Sequence, residues 1–233
     1  MENKYIEKYL KYKSKYIELK KLLGGADYEY DKKTQSLNYT DEFNGTLIIS
    51  DEYNKIKRLR LGNRFNQPLN ASLDKLVNLE YLSFGSDFDQ PFGNSLEKLV
   101  NLKKLIIGNN FDQPLGNSLE KLVKLETLVF GVAFNQPLGN SLEKLVKLET
   151  LQFSVRFNQP LGNSLEKLVK LETLHFSLKF NQPFGNSLDT LVKLKTLSFK
   201  NSIPLGEIPH KLKQLTTING NIYKDGKLFA VKA

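Results

Sequence analysis

Imidazole acid–base chemistry in this chain would have to begin at His175 or His210, its only histidines. They stand 35 residues apart, and no Ser, Asp or Glu recurs around either at the spacing a nucleophile and its base require. His175 falls at an outward strand position and His210 in the last coil, so both read as surface side chains. There is no Cys, which removes thiolate nucleophiles, disulfides and thiolate metal sites together. No Gly-rich phosphate loop and no metal-ligand spacing occurs. Three Asn-x-Ser/Thr triplets start at Asn38, Asn44 and Asn70; they read as chance matches, because the opening MENKYIEKYL has no uninterrupted apolar run of the secretory kind. The sequence therefore assigns no catalytic residue, no cofactor, no metal and no small-molecule substrate, and reads as a non-enzyme.

What recurs is architectural. The word Phe65-Asn66-Gln67-Pro68 returns every 23 residues, at Phe88, Phe111, Phe134, Phe157 and Phe180, and six copies in uniform register mean a repeat array. The block Leu125-x-x-Leu128-x-Phe130, with equivalents at Leu79, Leu102, Leu148, Leu171 and Leu194, alternates as a short strand does. Its inward residues stack as columns, Leu82 to Leu197 in one and Phe84, Ile107, Phe130, Phe153, Phe176 and Phe199 beside it. Burying one such side chain contributes roughly 1.5–3 kcal/mol, so one repeat cannot fold alone but a stack can. The spacing predicts a parallel ladder with strands about 4.8 Å apart.

The rest of each repeat turns. Asn, Asp and Gln beside each Pro can satisfy backbone groups of the neighbouring coil. Gly93, Gly116, Gly139, Gly162 and Gly185 follow Pro by two, and Asn70 fills that slot in the first copy, which predicts a left-handed backbone there. Asn94 with Glu97, and the pairs at 117/120, 140/143 and 163/166, resemble a capping box and predict short helical turns on the convex side.

The ends differ from the array. Residues 1–25 read as an amphipathic helix, with Tyr5, Tyr9, Tyr12, Tyr16, Leu19 and Leu23 on one face and Gly24-Gly25 as its stop. Residues 26–61 read as linker and N-terminal cap coil, 62–202 as six repeats, and 203–233 as a final coil with a hairpin cap turning at Asp225-Gly226. The fold class expected is an α/β repeat solenoid, leucine-rich-repeat-like, with a parallel ladder, convex helical turns, an N-terminal helix and a C-terminal hairpin. The net charge of +9 sits mostly at the ends: seven Lys against three Glu in residues 1–23, but fifteen basic against thirteen acidic residues over 65–202. A near-neutral array argues against a long phosphate-tracking surface for nucleic acid. No apolar run approaches the length of a membrane span.

The Leu-x-x-Leu-x-Phe block followed by Phe-Asn-Gln-Pro-Leu resembles the FNIP-type leucine-rich repeats of social amoebae and of giant viruses that infect amoebae, over about residues 43 to 220. The run Lys8 to Tyr16 looks like an N-terminal segment shared by many proteins of mimivirus-like viruses. The resemblance implies a leucine-rich-repeat solenoid that binds proteins. Several viral relatives carry an N-terminal F-box, and residues 24–59 show no such helical pattern, so an adaptor role in ubiquitin ligation is not carried over.

Comparing the copies shows which positions are free of structural demand. The outward strand column Arg60, Ser83, Ile106, Val129, Gln152, His175, Ser198 changes in nearly every coil, as do the pairs before each Phe. The candidate protein-binding face is Tyr81, Ile106, Val129, Val132, Gln152, Val155, Arg156, His175, Leu178 and Lys179. The first functional expectation is a non-enzymatic protein-interaction module. The second is a virion or viral-factory component that self-associates through residues 1–23, and the third is nucleic-acid binding through the basic ends. The expected setting is intracellular, in host cytoplasm or viral factory and not secreted, since Cys-free chains suit a reducing compartment.

Overall fold

The computed structural model describes residues 11–12, 27–177, 179–199, 212–218, 221–224 and 227–229. A hairpin opens the sheet: β1 (Tyr28–Asp31) pairs antiparallel with β2 (Ser36–Tyr39). One strand per coil follows, each parallel to the last: β3 (Arg58–Arg60), β4 (Tyr81–Ser83), β5 (Lys104–Ile106), β6 (Thr127–Val129), β7 (Thr150–Gln152), β8 (Thr173–His175), β9 (Thr196–Ser198) and β10 (Thr217–Ile218). Strands β11 (Asn221–Lys224) and β12 (Lys227–Phe229) pair antiparallel, with Lys224 opposite Lys227. All twelve belong to one sheet in sequence order.

Each ladder strand from β3 to β9 is three residues long, and only its middle Leu points inward. Leu59, Leu82, Leu105, Leu128, Leu151, Leu174 and Leu197 are all fully buried. The next inward residue leaves the strand, and its N–H still donates forward, as Phe130 does to the Gln152 carbonyl at 2.9 Å. Phe43, Phe65, Phe88, Phe111, Phe134, Phe157 and Phe180 form a continuous ring stack with centroids 5.9–6.1 Å apart.

The Asn/Asp position after each of those Phe residues builds a side-chain ladder. Asn66 Oδ1 accepts the Asp89 N–H at 3.0 Å and Gln90 Nε2 at 3.1 Å; Asp89 Oδ1 accepts the Asp112 N–H at 2.9 Å and Gln113 Nε2 at 3.0 Å. The pattern continues through Asn135 and Asn158 to the Asn181 N–H. Turn donors with no strand partner are satisfied one coil away, as the sequence suggests. The left-handed slot is also as expected: Asn70 has φ 46° and Gly93, Gly116, Gly139, Gly162 and Gly185 lie at 49–50°.

The convex side corrects an expectation. Among the described residues between β2 and β9 the only helical element is the 3-10 turn Asp51–Tyr53. In place of helical turns, the N–H groups of Ser95, Glu97, Leu99 and Leu102 donate to the carbonyls of Phe92, Asn94, Leu96 and Leu99. These three-residue closures never fall on adjacent residues, so they remain separate β-turns. The reason is the inward spacing: Leu96, Leu99 and Leu102 must all be buried, and a return every third residue does not suit the 3.6-residue helical period. The Asn94–Glu97 link is main-chain rather than a capping box. The expected helix over residues 1–23 lies outside the described residues apart from Lys11 and Tyr12.

A second glycine column has a different cause. A Cβ on Gly85 would stand 2.2 Å from the Gly62 carbonyl oxygen, and one on Gly108 1.9 Å from that of Gly85. Gly139 has open space around it and only its positive φ to satisfy. Gly108→Ala should therefore cost about 3 kcal/mol, because the next coil's backbone must move, and Gly139→Ala only about 1–2 kcal/mol. Urea unfolding of both variants checks the order, and equal losses would refute the close-approach account.

Candidate protein-binding face

The parallel register sets Ser83, Ile106, Val129, Gln152, His175 and Ser198 in one outward column. Tyr81, Lys104, Thr127, Thr150, Thr173 and Thr196 form the other outward column of the same strands. Ile106, Val129, Gln152 and His175 are each half-buried. Together with Asn109 and Ser154 they line a shallow concavity of about 310 Å³ floored by Phe130 and Phe153. Its middle is apolar and its far end carries an amide and an imidazole.

The remaining expected residues sit around this column. Val132, 37% exposed, and half-buried Val155 form a second row in the loops after the strands, with Arg156 and Lys179 exposed beside them. Tyr81 lies in the other outward column, where the Arg58 guanidinium stacks 4.1 Å over its ring and holds it. Leu178 and His210 lie outside the described residues.

Sequence comparison missed Ser154 and Ser177, which line the same concavity. The signal was a change of residue type: the close-approach column is Gly at 62, 85, 108 and 131 but Ser at 154 and 177. A Cβ needs room, and the coils make it. The inter-coil bond after the column is 2.7–2.8 Å at Asp87, Asn110 and Ala133 but 3.1 Å at Arg156 and 3.2 Å at Lys179.

Beside the Thr column runs a charged one. Glu80 bonds Lys103 at 2.8 Å and Lys57 at 3.2 Å, and those two bonds hold its carboxyl below the usual carboxylate range. Lys195 pairs with Glu172 at 2.8 Å. Burial alone pushes the His175 imidazole below its usual pKa. Among the described residues no group of three or more His, Asp or Glu is placed to hold a metal ion, and no helix is long and apolar enough to cross a membrane.

No protein-family model and no curated protein matches the sequence. Among solved structures it is similar to the circular leucine-rich-repeat protein CroV588 of the giant virus CroV, at 29% identity and a TM-score of 0.58. That match covers 73% of this chain and 25% of CroV588. It is also similar to an internalin, InlF, of Listeria monocytogenes (19% identity, TM-score 0.60, 80% of this chain and 60% of that one). A third neighbour is in the Toll–Spätzle complex of Drosophila (16% identity, TM-score 0.55, 74% of this chain and 28% of that one). The chain thus spans about a quarter of the length of CroV588 and three-fifths of the internalin. The fold is that of a leucine-rich-repeat solenoid.

His175 gives this face a pH signature. A depressed folded pKa means that the unfolded chain takes up the proton first, so this stabilisation is full above the unfolded value and is lost as pH falls through the folded one. Between roughly pH 7 and 5, the wild type should lose more stability than His175→Gln. Urea midpoints across that range check it, and parallel curves would remove the effect.

Proposed function

We propose that this chain is a non-enzymatic protein-interaction module that recognises its partner on the strand face around Ile106, Val129, Gln152 and His175. The observation that carries the reading is a contrast within each coil. Buried columns repeat nearly unchanged, whereas the half-buried outward column differs at every step and lines the concavity. Uniform packing needs no such variation, and an apolar patch rimmed by polar side chains suits a protein partner. The Toll–Spätzle neighbour is a leucine-rich-repeat protein in a complex with a protein, which supports the reading by likeness of fold.

The finer assignment is an FNIP-type repeat protein of a giant virus, acting in host cytoplasm or viral factory. It is supported by the Phe-Asn-Gln-Pro word and by the likeness to CroV588.

The test compares the full chain with Ile106→Asp/Val129→Asp as bait in infected-cell extract, after matching thermal unfolding curves. Loss of the retained proteins by tenfold or more is expected. An unchanged set would move recognition away from this face.

A further inference from the structure

The pentapeptide Val-Lys-Leu-Glu-Thr occurs three times, at residues 123–127, 146–150 and 169–173. In each, the Leu is fully buried, the Val is 44–46% exposed, and the Lys and Glu reach solvent. The register pairs Thr127 with Thr150 and Thr150 with Thr173, so like stacks on like. Lys124, Lys147, Lys170 and Lys193 make one column; Glu126, Glu149 and Glu172 make the next, which Lys195 closes.

Like charges one strand spacing apart, about 4.8 Å, repel. Elsewhere the Glu column, and the Lys column in the first coils, avoid this. Lys57, Glu80 and Lys103 alternate with bonds of 3.2 and 2.8 Å, Glu172 meets Lys195 at 2.8 Å, and Lys124 Nζ donates to neutral Asn101 at 2.7 Å. Among the described residues, Lys147, Lys170, Glu126 and Glu149 enter no ion pair. The middle of the solenoid therefore carries two parallel columns of opposite sign, each with like charges as neighbours, and only Glu172 at the end of its column is ion-paired within the chain.

We propose that this strip is the interface with a second copy of the chain. A two-fold axis along the stack, over the Leu125–Leu148–Leu171 column, keeps every coil at its own level and exchanges the two sides of that column. Lys124 of one copy then lies against Glu126 of the other, and the exposed Val123 against the Thr127 methyl; the next two coils repeat the match. An axis across the stack would set Lys against Lys, so the charge pattern selects the parallel arrangement. A basic peptide or an acidic one would neutralise only one of the two columns, whereas the strip itself complements both. The contact is isologous, as a closed dimer requires. It lies on the rim beside the strand face and does not depend on what that face binds.

Sedimentation equilibrium of the full chain tests this. A monomer–dimer equilibrium is expected, with dimer lost between roughly 50 and 500 mM salt as screening shortens the reach of the charges. K124E/K147E/K170E and E126K/E149K/E172K should each dimerise at least tenfold more weakly, since one places Glu on Glu and the other Lys on Lys. Mixing the two should restore association as a heterodimer, and a chain carrying all six reversals should dimerise alone. A monomer at every concentration, or a dimer indifferent to either triple reversal, would overturn the proposal. If a triple variant does not fold, K147Q/E149Q in the central coil decides: weaker association supports the interface, unchanged association refutes it. Capture of partners through Ile106 and Val129 is read separately, so failure here leaves that reading untouched.

Discussion

Coil-to-coil hydrogen bonding in a fixed register of 23 residues is the constraint on which the rest of this structure depends. No coil has a core of its own; each closes its backbone and covers its Leu and Phe residues only against the next. Glu149 N–H to the Glu126 carbonyl, Phe130 N–H to the Gln152 carbonyl and Asn158 N–H to the Asn135 side chain all span one repeat. A single misplaced residue would shift every one of these bonds at once, which explains why the repeat length does not vary within the array.

That constraint divides the residues of a coil into two kinds. Some are fixed by the neighbouring coil: the inward Leu and Phe, the Asn or Asp of the side-chain ladder, and the Gly at the close approach. Others face solvent and are bound only by what they meet there. Where the fixed set relaxes, the free set changes with it. Ser replaces Gly at 154 and 177, the adjoining inter-coil bonds lengthen, and the concavity around Val129 and Gln152 lies alongside.

Stacking also imposes a cost on charge. In a parallel ladder a repeated residue becomes a column, so a repeated Lys or Glu becomes a line of like charge. The first coils relieve this by alternating sign or using Asn, the last coil relieves it only in the Glu column through Lys195, and the three central coils do not. A feature tolerated by the fold but not required by it belongs to the outward-facing part of the molecule, along with the variable strand column.

Much was legible in the sequence because the signals were local or periodic. The repeat length, the buried Leu and Phe columns and the left-handed slot at Asn70 and Gly93 need only spacing and residue type. The convex helical turns were misread because Asn-x-x-Glu before an apolar run looks like a helix start, whereas burial of Leu96, Leu99 and Leu102 demands a three-residue return. By itself, then, the sequence determined that this chain stacks, and with what period. Only the tertiary structure decided why Gly85 and Gly108 admit no side chain, which charges meet across coils, and which variable residues share one concavity. Those depend on distances between residues one repeat apart, and a distance through space is not written in the spacing along the chain.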